Sequence, residues 1–165
     1  MEGVGEETLL AVDLGLKTGL ALYGADGRLR WYRSKNFGTA SRLKRGTHTI
    51  LAELPTLAHV VIEGGGPLAE IWSREAERRD IAVRLVSAET WRRDLLHPRE
   101  RRTAAQAKQS ADTLARQVID WSAAARPTSL RHDAAEAILI GLWGVLAVGW
   151  LERLPPGLSR GHRDL

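Results

Sequence analysis

Apolar and polar positions alternate along the chain with a period that shifts from strand-like to helical. Residues 8–14 (TLLAVDL) are apolar on both faces and predict a central strand. The stretch LKTG predicts a turn, and 19–23 a second strand. After the hairpin turn GADG, residues 28–33 (RLRWYR) alternate as a third strand. Over 40–54, Leu43, Ile50, Leu51 and Leu54 share one helical face. Residues 58–62 (AHVVI) form a short apolar strand that ends at Glu63, and Gly64, Gly65 and Gly66 break it. Pro67 suits the first turn of a helix that reaches about residue 79 through Ile71 and Trp72. A fifth strand covers 81–86, and a short helix 89–96.

Thr103 opens a long helix, with Gln106 completing a capping-box pattern and Ala107, Leu114, Val118 and Trp121 near one face. Pro127 ends that region, and 132–151 is a last helix, apolar nearly all round and so well buried. Three antiparallel strands, a helix, then strand, helix, strand and further helices predict an α/β fold. Its core is a five-stranded mixed sheet, three strands antiparallel and two parallel, flanked by helices.

Composition narrows the class. The 165 residues, 44% hydrophobic and 27% charged, suit one globular domain, placed at 8–153 with disordered tails at 1–7 and 155–165. The absence of cysteine excludes a disulfide scaffold, a zinc–thiolate site and a cysteine nucleophile, and it fits a reducing cytosol. The acidic start MEGVGEE lacks the plan of a signal peptide. The longest uncharged apolar run, 137–151, is shorter than the ~18 residues of a membrane span. A cytoplasmic protein without a membrane partner or small-molecule cofactor is expected.

Four acids interrupt these apolar elements. Asp13 lies near the end of the first strand and Glu63 at the end of the fourth. Asp133 and Glu136 (RHDAAEA) are three apart at the start of the last helix, hence on one face. Each alone has a structural account: a turn cap on the Gly15 amide, a strand-end acid before a loop, a favourable charge at a helix N-terminus. Together, in surroundings that do not welcome charge, they suggest one cluster, provided strands one and four are adjacent and parallel. Four clustered carboxylates repel one another unless cations fill the site, and oxygen-only ligands select Mg²⁺ or Mn²⁺. Two such ions about 3.5–4 Å apart form the clamp used for phosphodiester cleavage.

At these residues the sequence resembles the RuvC-type Holliday-junction resolvases of the RNase H-like superfamily. LLAVDLGLKTGLALYG is similar to the first-strand motif, HVVIEGGG to the fourth strand with its Glu, and HDAAEAILIG to the final acid-bearing helix. VRLVSAETWRRDLL and RRTAAQAKQSADTL resemble the segment between. The resemblance implies that Asp13, Glu63, Asp133 and Glu136 are catalytic metal ligands for two Mg²⁺, with Mn²⁺ able to substitute, and that Asp13 bridges them. It implies a homodimer that nicks opposed strands of four-way junction DNA, leaving 5′-phosphate and 3′-hydroxyl ends. His132, beside Asp133, is a candidate to assist the water or a ligand, the alternative being a merely exposed histidine at the helix start. Three positions depart from the family pattern. Leu14 stands where many members have proline, Glu136 where Asp is common, and Gly66 where many carry an aromatic wedge; the nearest aromatic is Trp72.

The net charge of +4 is weak evidence alone, but it is concentrated. From 92 to 108, Arg92, Arg93, Arg99, Arg101, Arg102 and Lys108 face only Asp94 and Glu100, six positive against two negative, with His97 among them. The segment leads into a helix N-terminus, itself an anion-binding feature. Thr103, Gln106 and Lys108 would then face the DNA backbone with the arginines, and the resemblance places a basic residue at Lys108. For any single arginine a solvated surface suffices; for the cluster, phosphate contact is the better account. Trp121, Trp143 and Trp150 are expected in the core, and Trp31 and Trp91 in the core or an interface. The competing readings are a YqgF-type RNase H-like nuclease acting on RNA and a non-catalytic DNA-binding module of the same fold. An actin-like ATPase needs two such domains, more than this length supplies.

Overall fold

The computed structural model describes residues 6–158. Its elements are β1 (Thr8–Asp13), β2 (Lys17–Gly24), β3 (Leu29–Asn36), α1 (Ala40–Ala52), β4 (Leu57–Glu63), α2 (Pro67–Arg78), β5 (Ala82–Val86), α3 (Ala88–Leu95), a 3₁₀ turn (Pro98–Glu100), α4 (Ala104–Ser122) and α5 (His132–Ala147). The five strands form one sheet in the order β3-β2-β1-β4-β5. β1 pairs antiparallel with β2 and parallel with β4; β2–β3 is antiparallel and β4–β5 parallel.

Alternation along β1 divides the core. Leu9 and Ala11 join the cluster under α3, α4 and α5, while Leu10 and Val12 join the cluster under α1 and α2. All four are fully buried, which is why the strand reads as apolar on both faces. α5 lies directly on β1 and β2 because glycine lets it: a Cβ on Gly141 would stand 2.2 Å from the Tyr23 ring. The Tyr23 hydroxyl donates to the Ile138 carbonyl at 2.5 Å, tying strand to helix inside the core.

The predicted elements are present, with shifted ends. β2 begins at Lys17 rather than 19, because its ladder with β3 continues to Lys17–Asn36 and takes up half of the expected LKTG turn. α5 stops at Ala147, where the chain turns through Gly149 at positive φ and Trp150 N–H bonds back to the Val145 carbonyl. Thr103 caps α4 as its sequence suggests, accepting from the Gln106 N–H at 3.0 Å.

The tryptophans divide differently from expectation. Trp72 and Trp91 are fully buried, whereas Trp121, Trp143 and Trp150 are only partly buried at the margin of the α5-side core. Of the expected tails, 1–5 and 159–165 lie outside the described residues; Glu6 pairs with Arg30, and Leu158 packs into the core. Among the described residues no helix is long and apolar enough to cross a membrane.

Candidate active site

Strand register assembles the site. Asp13, the last residue of β1, lies opposite Glu63 of β4 on one side and Gly19 of β2 on the other; Gly19 in turn lies opposite Ser34 of β3. Alternation puts Asp13, like Leu9 and Ala11, on the α5 face, and Glu63 follows Val61 onto the same face. A single row therefore crosses the sheet end: Ser34, Gly19, Asp13, Glu63.

The first turn of α5 sits over this row. A Cβ on Gly19 would meet the Asp133 carbonyl oxygen at 1.9 Å, so only glycine permits the helix to approach here. Asp133 is held on two sides: Oδ2 accepts from Ser34 Oγ at 2.7 Å, and Oδ1 from the Ala134 N–H at 2.9 Å. One turn on, Glu136 is only 6% exposed. Its Oε1 accepts from Arg92 Nη2 at 3.0 Å and stands 3.4 Å from His132 Nε2. Its Oε2 is buried with no hydrogen-bond partner among the described residues.

The four acids share one field. The Asp13 carboxyl is pushed up to about 8, first by burial, then by its hydrogen bond with Glu63, then by the charges of Glu63, Glu136 and Asp133. Burial also raises Glu136, with Arg92 and His132 pulling against it and Glu63 adding to it. At neutral pH, Asp13 therefore holds a proton that a nearby cation would displace.

Among the described residues, no three acidic or histidine side chains are placed to enclose one ion in their present rotamers. The reason is local: Glu136 is turned to Arg92 and His132, and Asp133 to Ser34. The donor set still suits a hard divalent cation. All four groups are carboxylates, one oxygen is buried and unpaired among the described residues, and one carboxyl is raised by burial and by its negative neighbours.

The basic segment divides in two. Arg92, on α3, reaches the acid cluster and also lines a cleft of about 340 Å³ with Glu89, Arg101, Arg102, Thr103 and the first turn of α4. Arg101 Nε is buried there without a partner among the described residues, and Arg102 is exposed. Arg93 pairs with Asp94 and Arg99 lies exposed on the 3₁₀ turn, while Gln106 and Lys108 are exposed along α4. The exposed His132 stands beside Glu136 rather than Asp13.

Two positioning residues escape the sequence. Gly19 leaves a faint signal, a glycine within an apolar strand. Ser34 leaves none, being 99 residues from the acid it holds. If Asp133 serves as a metal ligand, Ser34→Ala should loosen it and weaken divalent-cation affinity roughly 10–100-fold, the usual cost of losing an outer-shell partner, with the melting temperature little changed. Calorimetric titration with Mn²⁺ checks this, and unchanged affinity would show that Ser34 does not orient the acid.

No protein-family model matches the sequence, and no curated protein does. Solved structures do. RuvC of T. thermophilus, in complex with Holliday junction substrate, superimposes with a TM-score of 0.59 at 15% identity, covering 87% of this chain and 96% of that one. The yeast mitochondrial Holliday junction resolvase Ydc2 gives a TM-score of 0.58 at 12% identity, covering 92% of this chain and 85% of that one. With its β3-β2-β1-β4-β5 mixed sheet flanked by helices, this chain has the RNase H-like fold of the RuvC-type Holliday-junction resolvases.

Proposed function

We propose that the protein is a metal-dependent, structure-selective endonuclease that resolves four-way DNA junctions. The observation that carries this reading is the meeting of four acids from β1, β4 and α5 at one sheet end, close enough for three of them to raise Asp13. The fold shared with two resolvases supports it.

In this reading Asp13, Glu63, Asp133 and Glu136 hold two Mg²⁺, with Mn²⁺ able to replace them. The ions would supply an activated water and charge stabilisation at the leaving oxygen. The protein's own work is positional. Asp13, between Glu63 and the helix-borne pair, would give up its proton to serve as a ligand. Ser34 and the Ala134 N–H fix Asp133. Arg101, Arg102, Thr103 and the N-terminus of α4 hold backbone phosphate beside the cluster, with Arg93, Arg99, Gln106 and Lys108 extending the track. The cut breaks the P–O3′ bond: the water oxygen stays on phosphorus as a 5′-phosphate, and O3′ leaves as a hydroxyl. One chain carries one acid cluster, so paired symmetric nicks call for a homodimer.

The test is a panel of end-labelled four-way, Y-shaped and linear duplex DNA, with a structured RNA, incubated with and without Mg²⁺. Paired nicks confined to the four-way junction and dependent on Mg²⁺ are expected. Cleavage of the RNA alone would transfer the site to RNA processing, and binding without cleavage would leave a DNA-binding module.

The basic cleft makes a separate prediction. Changing Arg101 and Arg102 together to Ala should weaken junction binding and flatten the dependence of log K on log salt, by roughly 0.9 for each phosphate no longer neutralised. A salt slope equal to that of the wild type would place the DNA elsewhere.

A further inference from the structure

Arg92 belongs to two sites at once. Its Nη2 donates to Glu136 Oε1 at 3.0 Å, while the same side chain, about one-third exposed, lines the cleft shared with Arg101, Arg102 and Thr103. Its guanidinium carbon stands 5.2 Å from the Trp91 ring centre, and that ring is fully buried, so the pivot is firm. Among the described residues, Arg92 Nε and Arg101 Nε are buried without a hydrogen-bond partner. Two guanidinium-bearing residues lining one concavity suit an anion with several oxygens. An arginine cannot discharge its own cation, so a partly buried one favours a negative partner. Here two compete for it: the Glu136 carboxylate and whatever anion enters the cleft.

Resting on the nuclease reading above, we infer that Arg92 is an exchangeable counter-ion that couples DNA binding to metal loading. In the free protein it neutralises Glu136 within a cluster of like charges. When a backbone phosphate enters the cleft, Arg92 turns to it and leaves the Glu136 carboxylate bare beside Asp13 and Glu63. The freed Glu136 carboxylate would then join Asp13 and Glu63 in holding a divalent cation. Coupling of this kind is reciprocal, so DNA tightens the cation by the same factor as the cation tightens DNA. The consequence is a nuclease whose metal site is completed only when nucleic acid is bound.

The competing account, in which Arg92 simply orients Glu136 for the metal, predicts the opposite sign for its removal. Mn²⁺ affinity of the full-length protein, followed by the electron paramagnetic resonance of free Mn²⁺, separates the two. It is measured alone and with a four-way junction carrying phosphorothioates at the branch point to slow cutting. For wild type, DNA should tighten Mn²⁺ about tenfold, within the usual range of coupling between sites. Arg92→Gln should bind Mn²⁺ about tenfold more tightly than wild type without DNA and gain little more with it. Arg92→Lys keeps a mobile charge and should retain the DNA enhancement; it also serves if the glutamine variant does not fold. The inference is overturned if Arg92→Gln binds Mn²⁺ no more tightly than wild type, if it keeps the full enhancement, or if Arg92→Lys loses it. Wild-type protein that takes up no Mn²⁺ in either state sinks the nuclease reading itself, and this inference with it.

Discussion

Asp13→Asn is expected to reduce Mg²⁺-dependent nicking of a four-way junction by at least ~10³-fold, equivalent to about 4 kcal/mol of transition-state stabilisation. Junction binding should persist, because the change leaves the basic cleft of Arg92, Arg101, Arg102 and Thr103 untouched. The same substitution should stabilise the metal-free protein, with a sign that follows from the carboxyl's environment. Asp13 is pushed up to about 8 in the fold, against an ordinary 3.8. A carboxyl raised on folding binds its proton more tightly in the native state, so its contribution to stability declines as pH climbs from about 4 to 8, by at most ~1.4 kcal/mol per unit. Asparagine has no such loss. The melting temperature of Asp13→Asn should therefore exceed that of wild type by a margin that widens between pH 5 and pH 8. Mg²⁺ should raise the wild-type value and leave the variant nearly unmoved. On the proposed reading metal loading would expel the Asp13 proton, so wild-type metal affinity should also rise with pH toward 8. Thermal scans with and without Mg²⁺ across that range test all three statements. Cleavage by the variant at the wild-type rate would remove Asp13 from the chemistry.

Gly19→Ala should be the most damaging change of a single methyl group. The new Cβ would lie 1.9 Å from the Asp133 carbonyl oxygen and 2.4 Å from its carbon, where ordinary contact begins at 3.4 Å. The obstacle is backbone, not the end of a flexible side chain. Farther along, α5 cannot shift to compensate, because Gly141 is packed on Tyr23 and Gly144 on Val61 and Leu9. The first turn of the helix must lift from the sheet, which costs roughly 1–3 kcal/mol by analogy with over-packed cores. Asp133 and Glu136 move with it, and a displacement of about 1 Å at a catalytic centre lowers the rate on the order of 10²-fold. Gly65→Ala is the matched control: a Cβ there meets nothing within 4 Å, so stability should hardly change. Unaltered melting and unaltered cleavage in Gly19→Ala would mean that the close approach of α5 does not set the site.

Much of the fold was legible along the chain because the relevant signals are local. Double-sided burial marked β1 as central, the three glycines after Glu63 marked the end of β4, and Thr103 announced α4 through its own cap. The tryptophans were less legible. Helical spacing tells which face a ring occupies but not whether another element covers it, so Trp72 proved fully buried and Trp143 only partly so. Strand ends were displaced for a similar reason: the ladder from β3 extends β2 back to Lys17, past where its own composition would end it.

The sequence by itself determined which carboxylates sit where strands end and a helix begins, and in what order the elements follow. Side-chain periodicity and capping act within a few residues and are written in the chain. Only the tertiary structure decided that Asp13 lies in register with Glu63, that Gly19 admits the helix carrying Asp133 and Glu136, and that Ser34 and Arg92 turn inward to those two acids. Those four relations join residues far apart along the chain, 44 positions for Arg92 and Glu136 and 99 for Ser34 and Asp133, or depend on how closely a helix can approach a sheet. No local pattern encodes them; they follow from close packing, in which one absent side chain admits a backbone and one buried charge draws its partner across the fold.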